Sequence, residues 1–239
     1  MEKTKLNRFV QKYNLNGHAE QVKWTFKDNQ LITDFVTEDK SLKGIIVMKN
    51  MQFDDMDIGV YDTAQLQRLL GVLEEDINVD INKIGDKAVA LNIKNDTISV
   101  DFNLSDLSII PSPQQLKNIP NFTTQIKIDN RFIETFIKGK MALPDSQTFS
   151  LISKRDVPMV IIGYAATNTN RVNIPVETDT WDINSPITFN ADMFKEILVA
   201  NKECQSAVLE VSNAGLARVN FKVDDYDSTY YMVATKGVN

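Results

Sequence analysis

Apolar residues recur at helical spacing in four short segments of the chain and alternate with polar ones through most of the remainder. Over Thr4–Tyr13, the positions Leu6, Phe9, Val10 and Tyr13 follow the i, i+3, i+4, i+7 rule of a helix that buries one face. Leu66, Leu69, Leu70 and Leu73 repeat it over Thr63–Leu73, behind Asp62, a residue type that caps helix N-termini. Ile133, Phe136, Ile137 and Met141 predict a third helix over Asn130–Met141 behind Asp129. Phe194, Ile197 and Leu198 predict a fourth over Ala191–Lys202 behind Asn190.

The intervening runs are alternating or β-branched and read as strands. In the first half they are Gln21–Phe26, Gln30–Val36, Ile45–Met48, Met56–Tyr61, Ile77–Ile81, Ala88–Ile93 and Thr97–Phe102. In the second half they are Thr123–Ile128, Thr148–Ile152, Pro158–Tyr164, Arg171–Val176, Ala207–Val211, Ala217–Val223 and Thr229–Ala234. Asp28-Asn29, Asn95-Asp96 and Asn213-Ala214-Gly215 supply turn residues between them. The helices start about 60 residues apart, so the unit is one helix followed by about three strands, four times over. Pro111, Pro113 and Pro120 exclude a central strand at the midpoint. The expected organisation is therefore two similar α+β domains, 1–107 and 122–239, joined by a connector over 108–121.

Charge is divided unevenly over these elements. The 239 residues hold 26 Lys and Arg against 32 Asp and Glu, a net −6. Lys3, Lys5, Arg8 and Lys12 give the first helix +4, Arg68 gives the second +1, and Arg131, Lys138 and Lys140 against Glu134 give the third +2. In the fourth, Lys195 and Lys202 are balanced by Asp192 and Glu196. The helices thus carry +7 and everything else −13. On the first helix, Lys5, Arg8 and Lys12 are spaced away from the apolar stripe. A basic helical surface can track phosphates, but a solvated helix face carries the same residue types, so the partition alone leaves both readings open.

Much catalytic chemistry is excluded. The single histidine, His18, and single cysteine, Cys204, cannot build a His/Cys metal cluster or an internal disulfide, and no phosphate-binding glycine loop is present. Asp54-Asp55, Glu74-Glu75-Asp76 and Asp224-Asp225 read as solvated turns, although a hydrolase using paired carboxylates would draw on such residues. Trp24 and Trp181 read as packing residues. No apolar run is long enough for a membrane span, and no signal-like core follows Met1. The chain is expected to bind rather than react, without cofactor or metal and outside the membrane.

Three segments carry a resemblance to a known family. Asp57-Ile58-Gly59-Val60-Tyr61-Asp62, followed by Leu66-Gln67-Arg68-Leu69-Leu70-Gly71-Val72-Leu73 and Glu74-Glu75-Asp76-Ile77, resembles the sliding clamps of T-even-type bacteriophages. The run from Pro186 to Leu198 resembles the entry to the last helix of sliding clamps, and Tyr230-Tyr231-Met232-Val233-Ala234 resembles their final strand. The resemblance implies a DNA-clamp fold with two helices per domain packed on antiparallel sheets, and a homotrimeric head-to-tail ring around double-stranded DNA. It implies a processivity factor, not an enzyme, that tethers the replicative DNA polymerase, is opened by an ATP-dependent clamp loader, and acts in the host cytoplasm. Lys3, Lys5, Arg8, Lys12, Arg68, Arg131, Lys138, Lys140, Lys195 and Lys202 become the expected DNA-facing residues. Thr97–Phe102 and Arg171–Val176 become the expected ring-joining edges. Ile109, Ile110 and Pro111 with Tyr231 and Val233 become the expected pocket for partner peptides. The tail Thr235–Asn239 and the few bases on helices two and four depart from the family. The alternative is a β-rich phage structural or assembly protein with duplicated domains and no DNA role.

Overall fold

The computed structural model describes residues 1–164 and 170–235, so residues 236–239 of the tail lie outside it. The chain divides into two compact units. Met1–Glu38 with Gly44–Gln114 form the first, and Asp39–Lys43 with Gln115–Asn239 form the second.

The first unit runs α1 (Lys3–Asn14), β1 (Val22–Lys27), β2 (Gln30–Val36), β3 (Leu42–Lys49), β4 (Met56–Val60), α2 (Thr63–Gly71), β5 (Asn78–Ile84), β6 (Lys87–Lys94) and β7 (Ser99–Asn103). Its sheets have the orders β4-β1-β2-β3 and β5-β6-β7. The second unit runs β8 (Thr124–Asp129), α3 (Asn130–Ala142), β9 (Thr148–Lys154), β10 (Val157–Ile162), β11 (Val172–Pro175), β12 (Thr178–Thr180), β13 (Ile187–Asn190), α4 (Ala191–Ala200), β14 (Ser206–Ser212), β15 (Leu216–Val223) and β16 (Tyr226–Val233). Its sheets have the orders β12-β8-β14-β15-β16 and β11-β10-β9-β13.

The helices start where the periodicity and caps place them. Asp62 Oδ1 accepts from Gln65 N–H at 2.7 Å, Asp129 Oδ1 from Phe132 N–H at 2.7 Å, and Asn190 Oδ1 from Met193 N–H at 2.9 Å. Each cap satisfies an amide that the first helical turn leaves without an internal partner. Strands lead directly into α2 and α3 as expected, but two short strands, β12 and β13, stand between β11 and α4 where none is expected. The entry strand β13 is only four residues long, too short to display alternation.

Hairpins follow local turn chemistry. Asp28 and Asn29, at φ 51° and 58°, link Lys27 to its register partner Gln30. Two central residues with positive φ match the right-handed twist of the flanking strands. Arg155-Asp156, at 52° and 64°, do the same between β9 and β10, with Asp156 a residue type that tolerates positive φ. Asp224-Asp225 form the β15–β16 turn, as the solvated-loop reading expected.

Each core is aromatic where helix meets sheet. In the first unit Phe9, Tyr13 and Trp24 meet edge to face at 5.5–6.3 Å, and Trp24 is fully enclosed as a packing residue. In the second, Phe136 of α3 meets Phe149 of β9 at 5.2 Å and Phe194 of α4 at 4.9 Å. The α3 stripe is shifted from the expected one. Met141 is 69% exposed, while Phe132 and Gly139 take buried places. A Cβ on Gly139 would lie 3.0 Å from Val172, so glycine lets α3 approach β11 closely and turns Met141 outward. Among the described residues no helix is long and apolar enough to cross a membrane.

Because Phe136 joins α3, α4 and β9, Phe136→Ala is expected to destabilise the protein by about 3–5 kcal/mol. Urea unfolding monitored by circular dichroism measures this; a loss below about 1 kcal/mol would contradict the packing role.

Candidate nucleic-acid interface

The basic residues of the helices meet three different fates. Arg68, on α2, is exposed, as are Arg131 and Lys138 on α3 and Lys202 just beyond α4. Lys5 and Arg8 on α1 are half-buried. Lys138 pairs with Glu134 one turn back at 3.0 Å, and Lys195 pairs with Glu196 at 2.7 Å. Lys138 and Lys202 come together at a groove of about 410 Å³ with Ile133, Ile137, Glu134 and Glu203. Such flexible ammonium groups over a shallow surface suit sequence-independent contact with phosphate oxygens.

Two of the expected DNA-facing residues are corrected. Lys12 is completely buried, because Lys12, Tyr13, Asn14 and Leu15 form a last turn enclosed on all sides. What covers the end of a helix is a tertiary fact that periodicity does not contain. Lys140 is also buried; its ammonium donates to the Pro144 carbonyl at 2.8 Å and pairs with Asp192 at 2.8 Å. That contact ties the carbonyl end of α3 to the N-terminal turn of α4, where a cation and an anion respectively complement the helix dipoles.

Lys3 is half-consumed in the same way. Its ammonium donates to the Leu73 carbonyl at 2.5 Å. Glu75 lies at the start of α1, which has no side-chain cap of its own. Its carboxylate accepts from Thr4 N–H at 2.8 Å and from the Thr4 hydroxyl at 2.9 Å. These bonds, the backbone one foremost, hold the Glu75 carboxyl below its ordinary value. Glu75 therefore caps a helix 71 residues away, where the sequence reads it only as part of an acidic turn. The signal was unreadable locally, since the partner is distant in the chain.

The expected peptide-pocket residues divide. Ile109 and Pro111 are exposed on the connector, but Ile110 is buried in the first unit over Gly59, where an added Cβ would meet it at 3.0 Å. On β16, Val233 is 49% exposed and Tyr231 is half-buried opposite Arg218 of β15. The Arg218 guanidinium lies 4.7 Å from the Phe122 ring centre and pairs with Glu210 at 2.6 Å. This holds Phe122, the residue that follows the connector, against β15 of its own unit, a role sequence reasoning missed. Cys204 is buried with its sulfur 3.2 Å from the Ser206 carbonyl, and His18 is exposed.

No protein-family model matches the chain, and no curated protein matches it by sequence. Solved structures do. Proliferating cellular nuclear antigen (PCNA) from Entamoeba histolytica superposes with a TM-score of 0.75 at 12% identity, covering 98% of this chain and 96% of that one. A. fulgidus PCNA, bound to the C-terminal region of FEN-1, gives 0.77 at 13% identity over 100% and 98%. The PCNA2–PCNA3 complex from Sulfolobus tokodaii gives 0.73 at 8% identity over 98% and 97%. At these identities the likeness establishes the fold: the chain has the α+β clamp fold across its length.

The Glu75 cap has a pH signature. A carboxyl held below its ordinary value of 4.5 in the folded state adds stability that is present above that value and lost on acidification through the folded one. Glu75→Gln is therefore expected to lower the urea midpoint at pH 7, with the gap from the parent closing below pH 4.5. A gap that persists unchanged at acid pH would refute the assignment.

Proposed function

We propose that this chain is the subunit of a sliding clamp, a homotrimeric ring that encircles double-stranded DNA and tethers a replicative DNA polymerase. The single observation that carries this reading is the clamp fold over the full length of the chain at TM-scores above 0.7. Exposed bases on the helices of an otherwise acidic chain support it. A ring that must slide needs weak, sequence-independent phosphate contacts, and its retention comes from topology rather than affinity.

In this proposal the DNA-facing set is Arg68, Lys138, Lys195 and Lys202, with Lys3, Lys5 and Arg8 contributing from α1. Ring closure joins the edge at Thr97–Phe102 to that at Arg171–Val176 of the next copy, a heterologous interface whose rotation closes. Ile109, Pro111, Tyr231 and Val233 receive partner peptides. The protein performs no reaction itself; a separate ATP-dependent loader opens the ring. Its place is the host cytoplasm during replication of a T-even-type phage.

Light scattering over a concentration series is expected to give three times the 27.1 kDa chain mass, falling on dilution. A monomer at every concentration would end the clamp reading. On loaded primed templates, Arg68→Glu with Lys202→Glu is expected to shorten polymerase products several-fold while leaving the trimer intact. Unchanged product length would remove these residues from the DNA-facing set.

A further inference from the structure

Asn16-Gly17 is the single Asn-Gly pair of the chain, in the turn between α1 and β1. Where glycine follows asparagine, the glycine nitrogen can attack the side-chain amide carbon, because no side chain on the second residue obstructs the approach. Both residues are exposed and hold positive φ, 60° and 94°. Among the described residues the Asn16 side chain makes no hydrogen bond, so its amide stands in water.

The attacking nitrogen is the part that is held. Gly17 N–H donates to the side-chain oxygen of Asn14 at 2.9 Å and to the Asn14 carbonyl at 3.1 Å. Asn14 is the buried last residue of α1. Its amide hydrogens are also used, reaching the Ala19 carbonyl at 3.1 Å and Glu20 Oε1 at 3.0 Å. The other Glu20 oxygen accepts from Ala64 N–H at 2.9 Å in the first turn of α2. Asn14 is thus the centre of a lock that closes the turn and ties it to the neighbouring helix. Cyclisation requires Gly17 N to shed its proton and turn toward Asn16. Shedding it here would leave an anion against oxygens that carry partial negative charge, and turning breaks the bonds to both.

We propose that Asn16 is a self-modification site gated by Asn14, converting to aspartate and isoaspartate when the last turn of α1 opens. In the open state Gly17 N gives its proton to water or hydroxide and bonds to Asn16 Cγ. The Cγ–Nδ2 bond breaks and that nitrogen leaves as ammonia. Water then adds to either carbonyl of the succinimide ring. One opening gives aspartate; the other routes the main chain through the side-chain carbon and gives isoaspartate. Nothing is oxidised or reduced, a water is consumed, and a negative charge is gained. Because the open turn is the reactive form, the rate is the free-peptide rate multiplied by the fraction open. Isoaspartate at position 16 therefore records how often the end of α1 has opened. It also inserts a further backbone carbon between Asn14 and Glu20, so the lock cannot reclose in its former geometry.

The full chain is incubated at pH 7 beside a synthetic peptide of residues 13–23, and conversion of Asn16 is followed by mass spectrometry after tryptic digestion. The folded chain is expected to convert at least about tenfold more slowly than the peptide. Asn14→Ala removes the side-chain acceptor and is expected to speed conversion roughly three- to tenfold in a chain whose circular dichroism is unchanged. A folded parent that converts as fast as the peptide overturns the proposal. So does a folded Asn14→Ala chain that converts no faster than the parent. If Asn14→Ala does not fold, hydrogen exchange at the Gly17 amide of the parent decides. Exchange slowed about tenfold against the peptide supports the lock, and exchange at the peptide rate overturns it. The chemistry belongs to one subunit and is independent of ring formation.

Discussion

Every exposed feature of this protein follows from the need of its sheets to bury one apolar face under helices. A half-apolar antiparallel sheet is stable only when that face is covered, and a short helix is stable only when its own stripe is docked. Phe9 and Tyr13 against Trp24, and Phe136 and Phe194 against Phe149, satisfy both demands in the same contacts. Once those rings are inside, the remaining helix faces have to point elsewhere. Arg68, Arg131 and Lys138 are exposed because the apolar residues of their helices are not.

The same docking settles which charges remain available. Helix ends carry orphaned backbone groups, and three ionic side chains are drawn in to satisfy them. Glu75 serves the start of α1, Lys3 the carbonyl of Leu73, and Lys140 the turn after α3 together with Asp192. A basic count along the sequence therefore overstates the positive charge offered to a phosphate backbone.

Free strand edges are usually hazards, because unpaired N–H and C=O groups recruit other chains indiscriminately. Here β7 and β11 are edge strands of their sheets among the described residues, and each borders a shallow groove.

The amino-acid sequence by itself determined the four helices, the caps of the last three and most of the strands, because those depend on periodicity and on side chains within three or four residues. Leu66 and Leu70, Phe194 and Leu198, and the caps Asp62, Asp129 and Asn190 were readable for that reason. The three-residue β12 and the four-residue β13 were not, being too short to display alternation. Only the tertiary structure decided the burial of Lys12, Lys140 and Ile110, the outward turn of Met141 beside Gly139, and the capping of α1 by Glu75. Each of these depends on a neighbour distant in the chain or on what encloses the end of an element. Solvent exposure of a charge is a property of the assembled surface, and local spacing carries no record of it.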